Sequence, residues 1–300
     1  MPRFSVVIPT YNRADALQKT LSSVLAQTFS DFEVLVVDDG STDDTKSIVD
    51  AFNDPRVTYL FISNSGGPAT PRNVGMRAAN AEWIAFLDSD DLWYPTKLET
   101  LANSISECAD VDAISNDEVV RDSISGETRI LRYGPVTKDF YRTLLVEGNR
   151  CSTSSMTVRK SFIDKHHISF DTSPNFVIVE DYDFWMHLAL HGARFRFLRS
   201  VLGEYVLGDG NISGSIVKSR SNLMRLLEKH TFQVQTFESD RDKLWQEIQA
   251  RNSVSNAVAD LRLFRPVSSL MNLLRAVYVS PIGVLRWVRS RFVIRMGLYR

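Results

Sequence analysis

Short apolar runs alternate with amphipathic stretches along the first 115 residues. Phe4–Ile8 is a β-branched run closed by Pro9. Asp15–Ala26 follows with apolar side chains at Ala16, Leu17, Leu21, Val24 and Leu25, the spacing of a helix with one buried face. The same alternation predicts strands at Phe32–Val37, Val57–Phe61 and Trp83–Leu87. It predicts helices from Thr42 or Asp43 through Phe52, over Pro71–Ala79 and over Tyr94–Ala109. Strands joined in this way by helices predict a parallel sheet covered on both faces. Past a further strand at Val111–Ser115 the pattern loosens, and the polar segment 116–150 reads as a variable loop region. A strand at Ser155–Arg159, a helix at Tyr182–His191 and short strands at Phe195–Leu198 and Glu204–Leu207 come next. From about Ser215 onward the chain reads as helices, with breaks near Ser239, Pro266 and Pro281.

Composition narrows this picture only modestly. With 44% hydrophobic and 24% charged residues, the 300-residue chain is an ordinary globular protein rather than a disordered one. A net charge of −1 gives no general reason to expect a nucleic-acid partner. Cys108 and Cys151 have no metal-type spacing, Met1-Pro2-Arg3 runs straight into a strand, and no apolar run reaches membrane-spanning length. These features together predict a cytoplasmic chain with reduced thiols.

The tail is different. After Asp260 there is no acidic residue, yet there are eight arginines: Arg262, Arg265, Arg275, Arg286, Arg289, Arg291, Arg295 and Arg300. Tyr278, Val284, Leu285, Trp287, Val288, Phe292, Val293 and Ile294 are interleaved with them. Such a stretch has two readings, a basic amphipathic helix lying on an anionic membrane or a helix packed on the protein with its arginines in water.

Chemistry concentrates where strands end. Asp88-Ser89-Asp90-Asp91 follows the strand Trp83–Leu87, and like charges so crowded repel one another unless a cation or solvent compensates them. Hard oxygen ligands of this kind suit Mg²⁺ or Mn²⁺, which gather phosphate oxygens. Asp38-Asp39-Gly40-Ser41 closes the second strand, Pro9-Thr10-Tyr11-Asn12 the first, and Glu180-Asp181 precedes a helix. One such cluster would normally be solvated surface or a helix cap; several at successive strand ends mark the ligand edge of an open α/β sheet. His187 and His191 lack the glutamate a zinc-protease pattern needs, and Gly208, Gly210 and Gly214 miss the dinucleotide spacing by one residue.

Taken in order, six stretches resemble family 2 glycosyltransferases of the GT-A fold. They are Ser5-Val-Val-Ile-Pro-Thr-Tyr-Asn12, Ser23-Val-Leu-Ala-Gln-Thr28, Val37-Asp-Asp-Gly-Ser-Thr42, Pro71-Arg-Asn-Val-Gly75, Phe86-Leu-Asp-Ser-Asp-Asp91 and Glu180-Asp-Tyr-Asp-Phe-Trp185. The resemblance implies an α/β fold, a Rossmann-like nucleotide-diphospho-sugar transferase with a mixed sheet flanked by helices and a C-terminal helical extension. It implies that Asp39 contacts the nucleotide base; a carboxylate accepts well from a uracil N3–H, and Arg72 can donate to a ring carbonyl. Tyr11 would stack on that base, with Pro9 and Thr10 lining its pocket. Asp88 and Asp90 match the family's DxD motif, Asp88 on the ribose or phosphate side and Asp90 as the direct ligand of Mn²⁺ or Mg²⁺, with Asp91 in support. Asp181 matches the family's general base and Glu180 its supporting residue, which together imply inversion at the anomeric carbon. Capping of the next helix is the competing reading for Asp38 and in part for Asp91, and a dipole-stabilised helix start the competing reading for Glu180 and Asp181. The family's usual histidine after the tyrosine has no counterpart: Tyr205 is followed by Val206, Leu207, Gly208 and Asp209.

The expected organisation is a catalytic domain over 1–214, with a nucleotide-sugar-binding half (1–115) and an acceptor-binding half (116–214), and a helical region over 215–300 that ends in the basic tail. The expected activity is transfer of a sugar from a nucleotide-sugar donor, UDP-linked by preference and dTDP-linked as an option, to a glycan or lipid-linked glycan in cell-envelope biosynthesis. A non-catalytic nucleotide-sugar-binding protein would keep Asp39 and Asp90 without needing Asp181. A nucleotidyltransferase would need a glycine-rich basic loop after the first strand, where Pro9-Thr10-Tyr11-Asn12-Arg13 stands.

Overall fold

A computed structural model describes residues 1–108, 110–208, 216–262 and 264–296; the side chains of 216–218 and 290–296 lie outside the description. The chain forms two compact units, one of Met1–Val136 with Cys151–Asn222, the other of Thr137–Arg150 with Leu223–Arg300. The segment 137–150, placed by the sequence reading in the acceptor half, thus belongs to the same compact unit as the C-terminal helices.

The first unit is a nine-stranded mixed sheet. In chain order its strands are β1 Phe4–Thr10, β2 Phe32–Asp38, β3 Val57–Phe61, β4 Trp83–Phe86, β5 Leu92–Trp93, β6 Ala113–Asp122, β7 Thr128–Leu131, β8 Met156–Arg159 and β9 Phe195–Leu207. They lie in the order β3-β2-β1-β4-β8-β6-β9-β5, with β7 paired to β6. The parallel expectation holds for β3-β2-β1-β4, where Val6 faces both Val34 and Ala85. Beyond β4 the direction changes: β8 runs antiparallel to both β4 and β6, while β9 is parallel to β6.

Alternation along the strands divides the core between two faces. Phe4, Val6 and Ile8 of β1 pack with Trp83, Ala85 and Leu87 against Leu17, Leu21 and Val24 of α1 (Ala14–Leu25) and Leu98, Leu101 and Ile105 of α4 (Lys97–Glu107). On the other face α3 (Ala69–Ala78) comes so close to β1 that a Cβ on Gly75 would lie 2.4 Å from Val7 Cγ1. Glycine is required there for packing rather than for its backbone angles. Phe86 meets Phe170, Phe184 and Trp185 edge-on, and Phe170 stacks on Phe184 at 4.2 Å. This aromatic cluster seats α7 (Glu180–Leu190) against the end of β4, so Trp185 is core. The two remaining helices of this sheet unit with described lengths are α2 (Thr45–Phe52) and α6 (Lys160–His166).

Segment 116–150 departs most from its expected loop character. β6 continues to Asp122 through Ser115, Asn116, Asp117 and Glu118, all buried. Those polar residues break the apolar pattern a strand should show, but each has a partner: Ser155 for Ser115, Lys97 for Asn116, Arg199 for Asp117 and Tyr133 for Glu118. The rest of the segment supplies β7 and, within the other unit, α5 (Phe140–Glu147), whose start is capped by Asp139 accepting from the Arg142 backbone N–H. The two expected short strands are one, β9; its pairing register jumps from Leu198 to Val201, so the polar pair Arg199-Ser200 forms a bulge rather than a break.

The second unit is helical. Besides α5 it contains the second half of α8 (Ile216–Lys229), from Leu223 on, a π-helical turn at His230–Val234, α9 (Arg241–Arg262), α10 (Pro266–Val279) and α11 (Pro281–Met296). Pro266 and Pro281 each open a helix, as proline's fixed φ and missing N–H favour. No single helix among the described residues is long and apolar enough to cross a membrane.

Candidate active site

The carboxyl ends of β1, β2 and β4 and the start of α7 surround a cleft of about 910 Å³. Pro9, Thr10, Tyr11, Asp39, Arg72, Asp88, Asp90, Glu180 and Asp181 all line it, so the structure brings every sequence-derived site residue to one place. Parallel β1, β2 and β4 put their ends on a common edge, and the segment leading into antiparallel β8 brings Cys151, Ser152 and Thr153 to the same cleft.

At the β2 end the two aspartates part company. Asp38 is buried and accepts from the Ser41 backbone N–H and the Tyr59 hydroxyl, a structural turn anchor. Asp39 faces the cleft, accepts from Ser65 N–H at 2.8 Å, and is raised from its ordinary value chiefly by burial. Gly40 makes this turn possible: its φ is +80°, and a Cβ would sit 2.8 Å from the Asn64 backbone nitrogen. On the neighbouring strand end, Tyr11 is half-exposed over the cleft and the Thr10 hydroxyl is buried with no hydrogen-bond partner among the described residues.

Arg72 lines the cleft and links two of its acidic motifs. Its buried guanidinium donates to Asp88 Oδ1 at 2.6 Å and to Glu180 Oε1 at 2.7 Å, with its cation over the Phe170 ring. Each terminal nitrogen thus donates to one carboxylate, and Arg72 bridges two acidic motifs while still lining the cleft. The two carboxylates push the arginine further toward its charged form, against its burial. Next to it, Asn73 exchanges two hydrogen bonds with the backbone of Phe170, fixing the segment that leads into α7.

The β4 cluster also divides. Asp90 faces the cleft with its side chain 24% exposed; burial and then the Asp88 charge raise it to about 6, while Arg13, with a nitrogen 3.9 Å away, opposes the shift. Asp91 points inward, accepts from the Ser154 hydroxyl and from Val206 N–H at 2.9 Å, and is raised well above the usual range by burial and by Asp88. Two adjacent aspartates thus have opposite environments, one open to a ligand and one tying β4 to β8 and β9. Thr20 of α1 reaches the carbonyls of Ser89 and Asp91, holding the loop from below.

Asp181 lies in the first turn of α7 beside Glu180. Burial and then the Glu180 charge raise it to about 7, although Arg72 and the Tyr182 N–H pull the other way. The Thr153 hydroxyl donates to Asp181 Oδ2 at 3.2 Å. One Glu180 oxygen holds Arg72; the other is buried with no hydrogen-bond partner among the described residues. A carboxylate that titrates near neutrality is matched to taking a proton from a hydroxyl.

Sequence reasoning missed the layer beneath. Lys97 is fully buried, donates to Asn116 Oδ1 at 2.7 Å and to the Ser154 carbonyl at 2.8 Å, and is lowered to about 8 by burial although Glu118 and Asp91 favour its charge. Ser154 joins this layer to the cleft, since its hydroxyl also receives the Asp88 N–H. The only sequence signal is the hydroxyl run Ser152-Thr153-Ser154-Ser155 before a strand. Among the remaining candidates, His187 stands 3.7 Å from Asp183 and His191 packs on His166. A Cβ on Gly208, where the resemblance would put a histidine, would lie 2.8 Å from Ser123 Oγ. Asp209, Gly210, Gly214 and the Asn211-Ile212-Ser213 tripeptide lie outside the described residues.

Comparison with known proteins places this geometry. The family model described as Glycosyl transferase family 2 matches residues 5–167. The Escherichia coli UDP-Glc:alpha-D-GlcNAc-diphosphoundecaprenol beta-1,3-glucosyltransferase WfgD is 33% identical over 190 residues, 61% of this chain and 68% of the relative. A second E. coli protein of the same description, WfaP, is 27% identical over 232 residues, 75% of this chain and 86% of that one. The crystal structure of S. aureus TarS 1–349 superposes with a TM-score of 0.66 at 23% identity, covering 99% of this chain and 92% of the other, so the mixed sheet is the GT-A fold. The chain belongs to glycosyltransferase family 2 and is a glycosyltransferase.

Proposed function

We propose that the enzyme transfers a sugar, with inversion, from a UDP-sugar to a hydroxyl of a lipid-linked glycan during cell-envelope polysaccharide assembly. The observation that carries this reading is a single cleft holding Asp39, Asp90 and Asp181, with Asp181 titrating near 7. The relatives named for a UDP-glucose donor and a diphosphoundecaprenol-linked acceptor support the two substrate classes. An acceptor carried on a lipid puts the reaction at a membrane surface.

In this reading Asp39 accepts from the base N3–H, with Pro9, Thr10 and Tyr11 as the base pocket. Asp88, held by Arg72, takes the ribose or phosphate side. Asp90 fits a divalent ion: it is an oxygen donor facing the cleft, its charge poorly compensated beside Asp88, and Mn²⁺ or Mg²⁺ accepts such ligands. Bound there, the ion supplies charge neutralisation for the departing diphosphate. Asp181 removes the acceptor hydroxyl's proton as that oxygen bonds to the anomeric carbon and the bond to the nucleoside diphosphate breaks. Thr153 and the Arg72-held Glu180 orient it.

A thermal-shift panel of nucleotide sugars with and without Mn²⁺ tests the donor half. Stabilisation by UDP-sugars that requires the metal is the expected result. A chain indifferent to every nucleotide sugar would overturn the reading.

A further inference from the structure

We infer that α10 and the first half of α11 form an interfacial element that inserts its apolar face into an anionic lipid bilayer. The inference deepens the reading of a lipid-borne acceptor, but it stands on the second unit alone.

Helix α10 is apolar nearly all round. Its inner side is accounted for: Ala276 packs with Ala250 and Val254 of α9, Ser269 donates to the Ala257 carbonyl, and Asn272 donates to Asp260. Its outer side is not. Val267, Leu270, Met271, Leu274 and Tyr278 recur at three- and four-residue spacing and are 72, 59, 66, 63 and 91% exposed. Leu285 and Val288 on α11 are also exposed. The two helices meet at a 112° bend, and together, though neither alone, they have the length and hydropathy of a membrane segment. A sharp bend with one side already packed on α9 suits a pair lying in the interface rather than crossing it. Water-facing apolar surface on this scale marks an interaction site.

Charge selects the occupant. Arg262, Arg265, Arg275 and Arg289 are exposed around this face, and nothing acidic follows Asp260. A second copy of the same surface would bring arginine against arginine, since the carboxylates nearest the helix pair, Asp260 and Glu247, are buried and already engaged with Asn272 and Arg286. An anionic lipid surface supplies the missing negative charge while accepting the apolar side chains.

The test uses the full chain and two vesicle preparations, phosphatidylcholine alone and phosphatidylcholine with phosphatidylglycerol, neither containing glycan. Sedimentation should show binding to the phosphatidylglycerol vesicles that weakens with added salt. A Leu270→Glu/Leu274→Glu double variant should bind at least tenfold more weakly, and Arg275→Ala/Arg289→Ala should lose the preference for anionic vesicles. Both sites are exposed, so circular dichroism should be unchanged. Transfer to a water-soluble acceptor should also be unchanged, which separates failure of this inference from failure of the proposed reaction. No vesicle binding, equal binding to both preparations, or a dimer in light scattering that the double variant dissociates would each overturn the inference.

Discussion

In the first unit Arg72, Lys97, Asp91, Glu118 and Glu180 are buried, while in the second unit Val267, Leu270, Leu274 and Tyr278 face outward. Each region reverses the ordinary distribution of polar and apolar groups, and each does so at a cost. Buried ions lose hydration, and the first unit offsets this with partners at hydrogen-bond distance for nearly every charge. Exposed apolar side chains order water, and among the described residues of the second unit nothing covers Val267, Leu270, Leu274 or Tyr278. The difference separates a site completed by its own chain from a surface that needs something outside it.

The largest effect should come from removing the carboxylate proposed as the base. Asp181→Asn should lower kcat by roughly 10²–10⁴-fold, the usual worth of a general base, with UDP binding retained in calorimetry. Survival of transfer would overturn the assignment of Asp181 as the base. Arg72→Met should cost about 3–5 kcal/mol in denaturant unfolding, because Glu180 and Asp88 lose their shared cation. Arg72→Lys should rescue little, since one ammonium cannot span both carboxylates as the guanidinium fork does.

The pH dependence is a finer probe. With Asp181 raised to about 7, kcat/KM should rise through pH 6–7 and level off above it as the base becomes ionised. Stability should run the other way. The folded state holds that proton more tightly than the unfolded chain, so this group's contribution falls as pH rises from about 4 to about 7. Asp181→Asn should therefore melt a few degrees higher than the parent at pH 8. The smallest effect belongs to the second unit: Leu274→Glu should alter folding stability by no more than about 0.5 kcal/mol, as an exposed surface change does. A large loss there would mean that α10 is held by its outer face after all.

Legibility in the sequence followed the same divide. The strands β1 to β4 were readable because each is a short apolar run closed by polar punctuation, and the residues just past those runs are the ones that line the cleft. The second half of β6 was not, because Asn116, Asp117 and Glu118 are strand residues whose burial is compensated by partners distant in sequence. The same blindness hid Lys97, which looks like an exposed helix residue until Asn116 and Ser154 surround it. The bridging of Asp88 and Glu180 by Arg72 was not legible, because only the fold puts those two carboxylates on either side of it. In the tail, composition gave both halves of the pattern, arginines and apolar residues, but not which side α9 would cover.

The Arg72 clamp also limits where this polypeptide can be cut. The family model ends at residue 167, and a fragment stopping there would retain β1 to β4, Asp39, Asp88 and Asp90. It would lack Glu180, 108 positions along the chain from the arginine it holds, and Phe184, which stacks beneath the same cluster. The cleft's Arg72 clamp is thus completed by residues that lie beyond the matched region. A minimal catalytic fragment has to extend through α7, and one that ends earlier should fail at nucleotide binding before it fails at transfer.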